Sequence, residues 1–287
     1  MNLLAFDTST DALSIAVCKG AQVWQHIGAG GAQASSTLIP AIMALMSQAG
    51  LRFEDLNAIA FGKGPGSFTG LRTACSVAQG LALGAGVPVL PVDTLLAVAE
   101  EARFHIDGDK PLRVMSLLDA RMDEVYAACY EFDGSVWTQH GDYGLCKPEE
   151  LRQSTAPGAV WQIAGNAHAV YGTRLPMMAA APVHALPTAT AMLRLAPALL
   201  ASGYAVPGDQ ALPTYIRDKV AKTTLERQID KAATTTATLA PCAPSSSLLK
   251  PALKPLTPAV PTSSTPCWRW SCAPTRTPGA EVTLSMR

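Results

Sequence analysis

Gly62-Lys63-Gly64-Pro65-Gly66-Ser67-Phe68-Thr69-Gly70-Leu71-Arg72 follows a strand-like run (56–61) and opens a helix-like one (68–83). A glycine-rich turn there exposes backbone N–H groups at a helix start, where an anion could sit. No Gly-Lys-Ser/Thr closes the segment, so it is not a Walker A loop, and its spacing is not that of a dinucleotide fingerprint. Two readings stay open. The glycines either cradle a phosphate or let a helix pack closely on its strand.

Working outward, three strands precede this segment. Residues 3–6 form a continuous apolar run, and 12–18 and 23–27 flank the turn at Lys19-Gly20 as a hairpin. A helix over 35–48 carries Leu38, Ile42, Leu45 and Met46 on one stripe and ends at Gly50. After 68–83 come a strand (87–90) and a helix (94–102). The second half reads similarly: strands at 113–118, 124–130, 136–143 and 160–164, then a helix at 189–201. The hairpin before the crossovers differs from a Rossmann unit. Two such units in tandem predict a duplicated α/β architecture with a cleft between the halves.

Composition bounds the function. The 287 residues are 48% hydrophobic and 15% charged, enough apolar surface for a sizeable core. Equal numbers of acids and bases, 22 each, remove any case for nucleic-acid binding from bulk charge. Seven scattered cysteines without a CxxC pair argue against a disulfide scaffold and for a reducing compartment. With no basic leader before Asp7 and no uninterrupted apolar span in 74–92, a cytoplasmic chain without a membrane segment is expected. From Ile229 the character changes: nine of the 22 prolines fall in 229–287, with one Gly and no Phe, Tyr or His. Such a stretch offers little to bury and reads as a Pro/Ser/Thr-rich disordered tail, either a true extension or an out-of-frame product.

Asp7-Thr8-Ser9-Thr10 ends the first strand, where a carboxylate and hydroxyls could hold Mg²⁺ and phosphate or merely form a capped turn. Asp7, Thr8, Ser9, Gly64, Gly66 and Ser67 are therefore the candidate anion- or nucleotide-binding residues. Asp119-Ala120-Arg121 puts a similar acid at a strand end in the second half. The five histidines show no i, i+4 pair and no cysteine at zinc spacing, and there is no nucleophile elbow. No catalytic set and no protein-built metal site emerge.

The segment 61–72 closely resembles the signature of the TsaB family, the dimerisation subunit of the bacterial machinery that makes threonylcarbamoyladenosine in tRNA. Similar blocks follow in order: Leu4-Ala5-Phe6-Asp7-Thr8-Ser9-Thr10, Val87-Pro88-Val89-Leu90-Pro91-Val92, Asp119-Ala120-Arg121-Met122-Asp123-Glu124-Val125-Tyr126, and Pro213-Thr214-Tyr215-Ile216-Arg217-Asp218-Lys219-Val220-Ala221. The resemblance covers residues 1 to about 227. It implies the two-lobed actin/sugar-kinase/Hsp70-like (ASKHA) fold, with lobes over 1–103 and 104–228 and the tail over 229–287.

The catalytic paralogue in that family, TsaD, carries a metal-binding His-x-x-x-His pair just after the equivalent strand. Thr94 and Val98 stand there instead, and a hydroxyl and an isopropyl cannot replace two imidazoles. The resemblance then implies a subunit with no activity or cofactor of its own. It would dimerise with TsaD and support threonylcarbamoyl transfer to N6 of adenosine beside the anticodon. The ATPase TsaE would act on the pair, tRNA would be met through the complex, and ATP and metal would sit on the partners; in isolation the chain could homodimerise. The alternatives are a stand-alone kinase-like or metalloprotease-like enzyme and a remnant of a fusion to a ribosomal-protein N-acetyltransferase. Gly70, Thr73, Ala74 and Val77 on the second helix, with Leu38 and Ile42 on the first, are the candidate partner interface. A departure at Gln33-Ala34-Ser35, where a basic-His-Ser pattern is usual, alters some polar contacts there.

Overall fold

The computed structural model describes residues 1–106, 110–151, 161–176 and 181–217. The expectations for the tail from Ile229, including its disorder and any fusion remnant, lie outside the described residues.

The first half builds β1 (Asn2–Asp7), β2 (Ala12–Lys19), β3 (Gln22–Ala29), α1 (Ala34–Ala49), β4 (Ala58–Gly64), α2 (Phe68–Ala85), β5 (Val89–Asp93) and α3 (Thr94–Ile106). Its sheet has the order β3-β2-β1-β4-β5. β1, β2 and β3 are antiparallel neighbours, while β4 and β5 join parallel to β1. The second half repeats the opening: β6 (Leu112–Asp119), β7 (Val125–Phe132) and β8 (Trp137–Cys146) form an antiparallel meander, and β9 (Gln162–Gly165) pairs parallel with β6. The order β8-β7-β6-β9 matches the first four strands of the other sheet. This doubled plan is the ASKHA fold.

Alternating burial on two faces explains the layers. On one face of the first sheet, Leu4, Phe6, Ile15 and Phe61 meet Leu38 and Ile42 of α1 and Ala74 and Ala78 of α2. Both helices stop at left-handed glycines, Gly50 and Gly86, whose amides close onto the preceding turn. On the other face, Leu3, Ala5, Ala60 and Leu90 meet α5 (Ala189–Ala201), the next long helix after the short α4 (Ala167–Tyr171).

α5 and α3 depart from the simple two-lobe division. The helix over 189–201 falls in the second lobe by sequence but packs on the first sheet. α3 falls in the first lobe but buries Leu95, Val98, Ala99 and Ala102 against Val114, Leu118, Tyr126 and Tyr130 of the second sheet. Glu100, 2% exposed, pins this layer. It accepts hydrogen bonds from Arg103 on its own helix, Trp137 of β8 and Arg194 of α5. Burial works to raise its pKa, but those donors and the two guanidinium charges outweigh it and hold the carboxyl below the usual range. A carboxylate so deep without these partners would cost several kcal/mol, on the order expected for a broken buried pair. Among the described residues no helix is long and apolar enough to cross a membrane.

Candidate functional site

The glycine-rich segment runs from the end of β4 into α2, and its glycines are explained by contact. A Cβ at Gly62 would lie 1.8 Å from Oδ2 of Asp7, and one at Gly66 would lie 2.6 Å from the Cβ of Ser9. A Cβ at Gly70 would fall 1.8 Å from the carbonyl oxygen of Thr8. Gly64, at φ +114°, combines a left-handed backbone with a Cβ position 2.6 Å from the carbonyl of Thr214. The loop after β1 thus lies directly on the start of α2, and Ser67 N–H donates to the Ser9 carbonyl at 2.7 Å.

The hydroxyls of this loop are engaged within the chain. Thr8 and Ser9 are 1% and 3% exposed. The Thr8 hydroxyl donates to the Gly70 carbonyl at 2.7 Å, and the Ser9 hydroxyl and amide both donate to Oδ1 of Asp7, at 2.6 and 2.8 Å. Their polar groups serve each other, and of the six candidate residues only Ser67 is exposed. Oδ2 of Asp7 is buried with no partner. Desolvation lifts the Asp7 pKa to about 6 against the lowering effect of the Ser9 hydrogen bonds.

The positions that correspond to the paralogue's histidine pair are built into the frame. Val98 lies fully buried between the sheets. The Thr94 hydroxyl accepts the Gly64 amide at 3.1 Å, tying α3 to the glycine-rich loop. Neither side chain fits a metal ion. Beside them Asp93, 9% exposed, accepts from Tyr130 at 2.6 Å and Tyr143 at 2.7 Å, and its other oxygen accepts the Leu95 amide. Desolvation raises the Asp93 pKa despite these donors, and it also raises those of Tyr130 and Tyr143.

Four of the six expected interface residues face inward. Leu38, Ile42 and Ala74 are 0% exposed and Gly70 is buried, because that stripe faces the chain's own sheet. Thr73 and Val77 are half-buried. The helices instead present an outer face with Ile39 (48% exposed), Met43 (53%) and Leu83 (83%). Gly80 and Gly84 lie beside Leu83 with nothing within 4 Å of where a Cβ would stand. α1 contains no ionised residue and α2 only Arg72. The Arg72 guanidinium lies 3.9 Å from the centre of the Phe68 ring, and Phe68 packs on Tyr215 at 4.7 Å. The outward set at 69, 73, 76, 80, 83 and 84 has the same helical period as the buried one. Periodicity alone could not separate them.

The second strand-end motif adopts an unusual turn. Arg121, Met122 and Asp123 all have positive φ, at 60°, 54° and 65°, costing about 1–2 kcal/mol each. Polar contacts hold it: Tyr171 donates to Asp119 and to the Glu124 carbonyl, Arg174 grips Asp123, and Arg121 reaches Asp11 in the loop after β1.

Comparison with known proteins gives a consistent picture. The family model described as "TsaD: tRNA N6-adenosine threonylcarbamoyltransferase" matches residues 31–259, running past Arg227. The tRNA threonylcarbamoyladenosine biosynthesis protein TsaB of Escherichia coli is 33% identical over 226 residues, 77% of this chain and 96% of that protein. The Haemophilus influenzae protein of the same name is 32% identical over 77% of this chain and 95% of its own length. Among solved structures, YeaZ from Pseudomonas aeruginosa superposes with a TM-score of 0.67 at 36% identity, covering 75% of this chain and 99% of that one.

Proposed function

Since the chain belongs to the TsaB family, we propose that it acts in tRNA threonylcarbamoyladenosine biosynthesis as a non-catalytic partner subunit. It pairs with a TsaD-like catalytic subunit and supports transfer of the threonylcarbamoyl group to N6 of the adenosine beside the anticodon. The observation that carries this reading is the fate of Thr94 and Val98. The first bonds Gly64 and the second fills the core, so both positions do structural work. In this reading ATP and metal belong to the partners, a TsaE-like ATPase acts on the pair, tRNA is met through the complex, and the assembly is cytoplasmic.

The partner's seat is the outer face of α1 and α2 rather than the stripe at Leu38, Ile42, Gly70 and Ala74. Gly80 and Gly84 allow close helix approach there, and the near absence of charge means little desolvation cost on covering it. Gel filtration of this chain mixed with a TsaD-like subunit tests the proposal. A one-to-one complex that Leu83→Arg abolishes, with the variant's circular dichroism unchanged, is expected. Separate elution of the wild-type proteins would overturn it.

A further inference from the structure

We infer that Arg72 is the charged anchor of the partner seat and that it takes a carboxylate of the TsaD-like subunit. The inference rests on the reading of the outer face of α1 and α2 as that subunit's seat. Arg72, Ser76, Gly80 and Leu83 are all exposed and recur at helical intervals of four, four and three, so they form one row along α2. Eleven residues of helix place Arg72 about 16 Å from Leu83, within the length of a helix laid along that row. Arg72 is therefore continuous with the seat. It is also the one ionised residue on the two helices.

The guanidinium is held ready for its ligand. It sits over the Phe68 ring, and its Nε donates to the Tyr215 hydroxyl at 3.2 Å. Tyr215 in turn packs on Phe68. The two terminal amino groups, with four N–H donors, have no acceptor among the described residues. That free edge matches the two oxygens of a carboxylate. Holding the side chain beforehand also spares the rotamer freedom that a long exposed arginine loses on binding. Covering an unpaired arginine in an otherwise uncharged seat carries a desolvation penalty. A facing carboxylate turns the same group into a selector for the correct partner. An RNA phosphate has the same complementary chemistry, but the row shared with Gly80 and Leu83 favours the protein subunit. Tyr215 acts through Arg72 and is a positioning residue.

Calorimetric titration of the full chain against a TsaD-like subunit, at low and at high salt, tests the inference. Wild-type affinity should fall with salt. Arg72→Glu should raise the dissociation constant at least tenfold with unchanged circular dichroism, and Arg72→Gln should weaken binding and flatten the salt response. Tyr215→Phe should weaken binding several-fold while the salt response persists, because the charge remains. Reversing the exposed Asp and Glu residues of the TsaD-like subunit to Arg, one at a time, should reveal one that restores pairing with Arg72→Glu, and the absence of any overturns the inference. Pairing that Leu83→Arg abolishes but Arg72→Glu and Arg72→Gln leave unchanged would overturn this inference alone. Failure of the wild-type proteins to pair would overturn the seat as well. Normal pairing by Arg72→Glu with weakened tRNA binding by the complex would assign the fork to an RNA phosphate and overturn the carboxylate. Should Arg72→Glu fail to fold, Arg72→Lys decides. A lysine point charge cannot grip two oxygens as a fork does, so a several-fold weaker complex is expected, and undiminished affinity overturns the inference.

Discussion

Tyr130 of the second sheet donates its hydroxyl proton to Asp93 of the first at 2.6 Å, in a buried setting. Tyr143 adds a second donor to the same oxygen at 2.7 Å. Asp93 also receives the Leu95 amide at the start of α3, so one carboxylate ties a helix start to two strands of the other half. Tyr130→Phe should destabilise the protein by about 1.5–3 kcal/mol, the range for a hydrogen bond to a charged group. Tyr143→Phe should cost less, because Tyr143 is partly exposed. Urea denaturation of the three proteins measures both, and equal losses would contradict the ordering.

Asp7 makes a pH signature. Its folded pKa, about 6, lies above the ordinary 3.8, so the folded state holds the proton more tightly than the unfolded chain. Stability from this group is full below about pH 4 and is lost as pH rises to 6. The shift of about two units corresponds to about 3 kcal/mol. Asp7→Asn removes the titration. Relative to wild type it should gain stability between pH 4 and pH 7.5, checked by denaturant melts at both values. A difference independent of pH would show that Asp7 titrates normally.

Two glycines of α2 should respond oppositely to alanine. At Gly70 the new Cβ would strike the Thr8 carbonyl, and a loss of about 2–4 kcal/mol is expected. At Gly80 there is open space, and alanine should stabilise the free chain by about 0.5–1 kcal/mol through helix propensity. Thermal melts decide. If Gly80 lies in the partner seat, the stabilised variant should also bind a TsaD-like subunit more weakly.

Much of this fold was legible in the residues. The apolar run at Leu3-Leu4-Ala5-Phe6, the turn at Lys19-Gly20 and the stops at Gly50 and Gly86 carry local signals, and these elements fall within a few residues of their expected places. The partnerships of α3 and α5 were not legible. Both helices are apolar on more than one side, and nothing local says which sheet each side meets. The glycine-rich segment shows the same limit. Its sequence suits a phosphate cradle and a close helix–strand contact equally, and the close contact shows only in the positions of Thr8 and Ser9 against Gly66 and Gly70. Ala74 illustrates the cost for experiments: arginine there, apt for a surface stripe, would enter the core at a residue 0% exposed and unfold the chain. On the proposed partner seat, arginine belongs at Leu83 or Gly80 instead.

The central claim is that this chain acts as a partner subunit through the outer face of α1 and α2. Its most direct test is a reconstituted modification assay containing tRNA, threonylcarbamoyl-AMP, a TsaD-like subunit, a TsaE-like ATPase and ATP, with modified adenosine quantified by mass spectrometry of nucleosides. Product should form only when the wild-type chain is added, and Gly80→Arg, folded by circular dichroism, should fail to support it. Product at the same rate without this chain, or undiminished product with Gly80→Arg, would contradict the account.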